Sequence, residues 1–363
     1  MKKMGFIVAL CMVLVLAACG GGGNSVGNTA APVQETPTAN SSGSNAETPA
    51  ATGSGGSLES LSLTMPGGSA GGFFSLVGNG VGNVLMQEIP NVQFAYEPSN
   101  TVANVVRVAQ GDFPIGMAWA MEAQAALNGS DPYKEKVAEV YALVSLFNNA
   151  QVQIIVSKAF ADKYDVHSME DLVAKKPPVR LTFNQKGNLL HNLNVTIFEA
   201  YDITEADINA WGGMVLLQPH KESLDLLKDN KLDIVASSIF APDGKILETT
   251  TTTEVEMWSI NQKAQQLTRE RYSQKPGVIK AGTYEWQTTD VNTVNGGALL
   301  LADPNLPEDA AYTITKSIVE NLEMYKQVHT NLQALTVEDL ADVTPAKLHP
   351  GAEKYFKEIG IIK

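Results

Sequence analysis

Met65-Pro-Gly-Gly-Ser-Ala-Gly-Gly-Phe-Phe74 is a glycine-rich turn set between two regular elements. An alternating stretch, Leu61 to Met65, leads into it as a strand, and an amphipathic run from Phe73 to Ile89 leaves it as a helix. Strand, glycine-rich turn and helix in that order aim backbone N–H groups and the Ser69 hydroxyl at whatever sits above the helix N-terminus, which suits an anion. Gly67-Gly-Ser69-Ala-Gly71 also matches the G-x-S-x-G nucleophile elbow of serine hydrolases. One stretch thus supports a ligand cradle or a catalytic elbow.

Downstream, the pattern repeats. A strand over Val92 to Tyr96 ends in Pro98-Ser-Asn100-Thr101, and a helix follows with Val102, Val105, Val106 and Ala109 on one face and Gly111 as its stop. A third strand, Phe113 to Ala118, runs into Trp119 and a helix through Ala126. This β-α-β-α-β-α order argues a parallel sheet flanked by helices, with ligands beyond the carboxyl ends of the strands. Two strand-like runs follow, Val140 to Phe147 and Val152 to Val156, with hydrophilic Asn148-Asn-Ala-Gln151 read as a change of direction. Ser168-Met-Glu-Asp171 starts a helix. A strand over Val179 to Phe183 then ends in a second polar turn, Asn184-Gln-Lys-Gly-Asn188, before a helix from Leu189 to Ala200. Lys231 to Ala236 is a strand ending in Ser237-Ser238-Ile-Phe240, and Thr249 to Thr253 reads as a surface connection. Thr293 to Ala302 returns as a strand, and helices over Pro307 to Gln327, Val337 to Val343 and Ala352 to Ile359 close the chain.

Upstream, Lys2 and Lys3 precede an apolar run from Phe6 to Leu16 that ends in Leu16-Ala-Ala-Cys19. This is a secretory signal over residues 1–18, of the bacterial lipoprotein form in which Cys19 takes lipid. Cys11 leaves with the signal, so the mature domain has neither disulfide nor thiolate metal site. Residues 19–57 form a disordered tether with no lysine, arginine or aromatic residue. The net charge is −13, and −15 without Lys2 and Lys3, which argues against nucleic acid and polybasic membrane docking. The five histidines show no metal-ligand spacing, and no cofactor is expected.

Four groups of residues carry a family resemblance. They are Gly67-Gly-Ser-Ala-Gly-Gly72 opening a helix that ends near Gln87-Glu-Ile-Pro90, and Thr101-Val-Ala-Asn104 followed by Gly111. The others are Ile279-Lys-Ala-Gly-Thr-Tyr284 with Asp290-Val-x-Thr-Val294 and Asp303-x-x-Leu-Pro307, and Leu348-His-Pro-Gly-Ala-Glu-Lys-Tyr-Phe356. Together, across residues 58–363, they resemble the TAXI-type substrate-binding proteins of tripartite ATP-independent periplasmic (TRAP) transporters. The resemblance implies a type II periplasmic-binding-protein fold: two α/β lobes joined by two crossover strands, with ligand in the cleft. Residues 58–149 with 292–363 form the first lobe and 150–291 the second. It also implies a small carboxylate or amino acid as cargo, a TRAP-type permease as partner, a monomer, and no chemistry of its own. Asn184-Gln-Lys-Gly-Asn188 and Trp119-Ala-Met121 depart from the family's pattern at two strand ends, so the cleft chemistry is altered and glutamate is not assumed.

The candidate ligand residues are therefore those at the strand ends. In the first lobe they are Gly68, Ser69, Ala70, Gly71 and Phe73, then Ser99, Asn100, Thr101 and Asn104, then Trp119. In the second they are Asn184, Gln185, Lys186, Gly187 and Asn188, then Ser237, Ser238 and Phe240. Ser69 donates to a ligand carboxylate, caps the first helix, or does both. Lys186 is either the cationic partner of a carboxylate or a solvated surface lysine. Trp119 with Phe73, Phe74 and Phe240 points to a cargo less polar than glutamate. Two other functions stay open: a ligand-sensing lipoprotein that signals to a membrane sensor, and a serine hydrolase using Ser69. Against the hydrolase, the elbow follows the first strand, so no earlier strand's loop can build an oxyanion hole. His329 in a charged helix and His349 in a turn are poor bases for it.

Overall fold

The computed structural model describes residues 61–186 and 188–363. The signal, Cys19, the tether and Gly187 lie outside the described residues, and among those described no helix is long and apolar enough to cross a membrane.

The first lobe opens with β1 (Ser62–Pro66), α1 (Phe73–Glu88), β2 (Gln93–Glu97), α2 (Thr101–Ala109), β3 (Ile115–Trp119) and α3 (Ala120–Asn128). β1 and β2 pair in parallel. α1 presents Val77, Val81, Val84 and Leu85, all fully buried, against Leu63, Met65 and Ile318. Apolar spacing of three and four residues makes this the core face, and each such side chain contributes about 1.5–3 kcal/mol by leaving water.

β4 (Tyr141–Ser157) is a single strand of 17 residues, and the change of direction expected at 148–151 does not occur. Those polar residues find partners beside the strand instead. Asn148 Nδ2 donates to Asp339 Oδ1 at 2.6 Å and Asn149 Nδ2 to the Asn331 carbonyl at 2.7 Å. A polar interruption thus marks the place where the strand leaves one lobe's core for the other's.

The second lobe follows: α4 (Lys158–Tyr164), α5 (Met169–Lys175), β5 (Arg180–Thr182), α6 (Leu189–Glu199), α7 (Glu205–Ala210), β6 (Met214–Leu216), α8 (His220–Lys228) and β7 (Ile234–Ile239). It continues with α9 (Gly244–Thr250), β8 (Val255–Trp258), α10 (Gln262–Tyr272) and β9 (Lys275–Ile279). β10 (Val291–Ala302) then carries the chain back to α11 (Glu308–Glu320), α12 (Leu322–Lys326), α13 (Val337–Ala341), β11 (Lys347–Leu348) and α14 (Pro350–Glu358). The expected helix through Gln327 is interrupted at Asn321, whose Nδ2 turns back to the Ser317 carbonyl at 2.9 Å. Thr249, expected in a surface connection, lies within α9 and is 1 % exposed.

The main sheet runs β3-β10-β4-β7-β5-β6, with β4 and β10 antiparallel at its centre. β5 pairs in parallel with both β6 and β7. Asn104 on α2 ties β1 to β3, because its Nδ2 donates to Gly67 O at 3.1 Å and Met117 O at 2.9 Å. Asn194 on α6 does the same in the second lobe, reaching Phe183 O at 3.3 Å and Ala236 O at 3.0 Å. The architecture is the two-lobed α/β type II fold, with β4 and β10 as its crossover strands. The carboxyl ends of β1, β2, β3 and of β5, β6, β7 are where a site belongs.

Candidate functional site

The turn after β1 is held rigidly. Gly67 N–H donates to Glu97 O at 2.9 Å, and the Tyr96 hydroxyl donates to Gly68 O at 2.8 Å. A Cβ on Gly67 would lie 2.4 Å from the Tyr96 oxygen, so glycine is required there. Gly71 has φ +74°, a backbone conformation that glycine adopts without strain. α1 is capped by Gly72, with no side-chain cap. Ser69 is therefore not the helix cap; its carbonyl accepts from Gly72 N–H, and the residue is exposed.

A cavity of about 530 Å³ opens beside this turn. Gly68, Ser69 and Phe73 line it from the β1 end, Ser99, Asn100 and Thr101 from the β2 end, and Trp119 from the β3 end. Asn188, with Leu189 and Leu190, closes it from the second lobe. Asn100 and Asn188 also cap α2 and α6, accepting from Val102 N–H and Leu190 N–H, each at 2.9 Å. Larger hollows exist, about 850 Å³ beside Gln124 and Arg269 and about 640 Å³ beside Tyr133 and Pro304, but neither gathers strand ends.

Other expected residues lie elsewhere. Ala70 and Gly71 are exposed in the turn but do not line the cavity. Asn104 is buried behind the wall, as the β1–β3 tie. Asn184 is buried with φ +78°, its Oδ1 accepting from Gln185 N–H at 2.7 Å. Gln185 and Lys186 are exposed and outside the lining. Arg180 grips Asp233 through Nε at 2.9 Å and Nη2 at 2.5 Å, a structural pair within the second lobe.

Ser237 and Ser238 lie inside β7 rather than beyond it. Ser237 is 4 % exposed, with its Oγ 2.8 Å from His220 Nδ1, and His220 Nε2 is 2.9 Å from Asp243 Oδ1. A carboxylate only accepts, so Nε2 carries the hydrogen toward Asp243. Asp243 N–H donates to the Tyr284 hydroxyl at 2.8 Å, which donates to Gln153 Oε1 at 2.7 Å. Gln153 Nε2 donates to Ile239 O at 3.1 Å and Phe240 O at 3.4 Å. The chain of bonds fixes the loop that carries Phe240. That ring meets Phe73 of the first lobe, centroids 4.4 Å apart, and Phe147 at 5.3 Å. His329, expected within a helix, instead caps a 3₁₀ turn and sets its ring edge against Phe73 at 5.1 Å.

A family model described as NMT1-like matches residues 65–360. The chain belongs to the NMT1-like family. It is similar to a TctC solute-binding protein from Polaromonas at 12 % identity, covering 76 % of this chain and 87 % of that one, with a TM-score of 0.47. It is also similar to MatC from Rhodopseudomonas palustris, solved with bound malate, at 13 % identity over 83 % and 96 % of the two chains, TM-score 0.48. The aliphatic sulphonate-binding protein SsuA from Escherichia coli shares 14 % identity over 82 % and 83 %, TM-score 0.43.

In this NMT1-like chain the Ser237–His220–Asp243 row holds the residue types of a hydrolytic triad with the ring nitrogens exchanged. A triad's histidine meets serine through Nε2 and the carboxylate through Nδ1. A serine buried inside a paired strand also cannot receive a substrate carbonyl, so the row positions a loop. Sequence reasoning missed His220 because its partners Ser237 and Asp243, 17 and 23 positions away, are brought to it only by the fold. The Gln218-Pro219 pair before the helix was the available clue. Glu122 was missed as well. It is 5 % exposed, accepts from Thr101 Oγ1 at 2.8 Å and Trp119 N–H at 2.9 Å, and is the one ionisable side chain among the described residues lining the cavity. Burial pushes its carboxyl up to about 7, and those two hydrogen bonds only partly offset the effect.

Proposed function

We propose that the chain is an extracytoplasmic solute receptor of the TAXI type, anchored by lipid on Cys19. It captures a small carboxylate or amino acid between its lobes and delivers it to a TRAP-type membrane permease, without chemistry of its own. The observation that carries this reading is the single cavity in which Ser69, Asn100 and Trp119 of the first lobe face Asn188 of the second. A ligand carboxylate has donors there in the Ser69 hydroxyl and the Phe73 and Phe74 N–H groups that open α1. The aromatic walls suit an apolar body. Residues 58–149 with 292–363 would move against 150–291 about β4 and β10, so that ligand bridging the lobes stabilises the closed form that a permease recognises.

Mass spectrometry of what leaves the purified receptor on denaturation identifies the cargo, and a thermal-shift panel of carboxylates and amino acids ranks it. A ligand at 100 times its Kd raises stability by about 2.7 kcal/mol. A panel in which nothing raises the melting temperature would overturn the receptor reading.

A further inference from the structure

The cavity wall holds a carboxylate and no base. Glu122, at the start of α3, lines it, while lysine and arginine are absent from the described lining residues. Both carboxylate oxygens are engaged, but by neutral donors, the Thr101 hydroxyl and the Trp119 N–H. The nearby charged groups are occupied. Arg107 on α2 reaches Glu97 and Asp112, each at 3.8 Å. On α10, Arg271 pairs with Glu199 at 2.7 Å, while Arg269 and Glu270 border a different hollow beside Gln124. Burial, with the Glu122 charge added, raises the Tyr133 hydroxyl, which stays protonated and donates to Val102 O at 2.9 Å. A buried carboxylate with no cationic partner is costly, and the cavity that Glu122 lines gives a partner a way in. The same wall carries the Trp119 and Phe74 rings, centroids 5.0 Å apart, and aromatic faces attract cations.

We propose that the cavity selects ligands bearing a positively charged nitrogen, seated on the Glu122 carboxylate beside the packed Trp119 and Phe74 rings. The ammonium belongs either to a simple amine or to a zwitterion whose carboxylate reaches Ser69. The proposal rests on the cleft-receptor reading and narrows its cargo, excluding acids that carry no cation. Glu122 becomes the residue that sets the charge class.

Three probes of one shape test this: 2-phenylethylamine (cation), phenylalanine (zwitterion) and 3-phenylpropionate (anion). Each is titrated by calorimetry and thermal shift into the wild-type chain and into Glu122→Gln at pH 8, where Glu122 is mainly ionised. We expect at least one of the two ammonium probes to bind more tightly than 3-phenylpropionate. Glu122→Gln should weaken that probe roughly 10- to 100-fold, as loss of a charge-assisted contact does. Amine ahead of zwitterion assigns the first source, and the reverse order the second. If 3-phenylpropionate binds as tightly as the better of the two ammonium probes, or Glu122→Gln leaves that probe's affinity unchanged, the proposal fails while the receptor reading stands. If no probe and no member of the wider carboxylate and amino-acid panel binds, both fail together. Should Glu122→Gln not fold, the wild-type order of the three probes still decides.

Discussion

The rings of Phe73 and Phe240, from opposite lobes, meet with centroids 4.4 Å apart. Phe73 opens α1 directly after the glycine-rich turn, and Phe240 follows β7, so the contact joins two strand-end loops across the cleft. Aromatic pairs of this kind are worth about 0.5–1.5 kcal/mol beyond their buried area. A double-mutant cycle with Phe73→Ala and Phe240→Ala, read by urea unfolding, should return a coupling of about that size. Additive single effects would mean that the rings do not help to hold the lobes together.

Asn104 and Asn194 perform one task in the two lobes. Each amide donates to two carbonyls at the ends of neighbouring strands, and each residue is 0 % exposed. Substituting alanine strands both carbonyls without a donor. Asn104→Ala and Asn194→Ala should each lose about 2–3 kcal/mol of unfolding free energy. Asn104→Ala should also loosen the glycine-rich turn, seen as faster amide exchange at residues 67–72 in the first variant only.

The His220 network predicts an acid-side effect. Burial alone would raise the Asp243 carboxyl, but hydrogen bonds from His220 and Ile246 N–H outweigh it and hold its pKa below the ordinary value. A depressed folded pKa contributes stability that is present above the unfolded value and lost as pH falls through the folded one. Wild-type melting temperature should therefore drop on acidification below about pH 4. Asp243→Asn should start lower at pH 7 and fall less steeply across that range. Parallel curves for the two proteins would remove Asp243 from the account.

Much of this was legible because periodicity and punctuation agree. Val77, Val81 and Leu85 mark the core face of α1, and Gly67 and Gly71 mark the turn before it. The polar stretch at 148–151 misled, because polarity inside an apolar run signals a turn only when the residues must be solvated. Here Asp339 and Asn331, nearly 200 positions away, supply the partners. Lys186 attracted attention because charge is visible in a sequence and direction is not; its turn sits at a strand end, yet the side chain is exposed outside the lining. Glu122 reads as an ordinary helix-start acid, which it also is, since it accepts from Trp119 N–H. Only the folding of Thr101, 21 positions earlier, against it shows a carboxylate buried at the cavity wall.

That burial gives a second pH effect, opposite in sign to Asp243's. The Glu122 carboxyl is raised from 4.5 to about 7, so between those values the folded chain binds more protons than the unfolded one. Its contribution is complete below the unfolded pKa and fades as pH rises through the folded one. A shift of that size corresponds to at most on the order of 3 kcal/mol. Melting temperature should consequently fall from pH 5 to pH 8 by more in the wild-type chain than in Glu122→Gln, and the variant's relative stability should improve toward pH 8. A ligand whose ammonium sits on the carboxylate should reduce the wild-type decline, because it stabilises the ionised form that burial penalises. Identical slopes for wild type and Glu122→Gln without ligand would mean that the carboxyl titrates as an ordinary solvated acid.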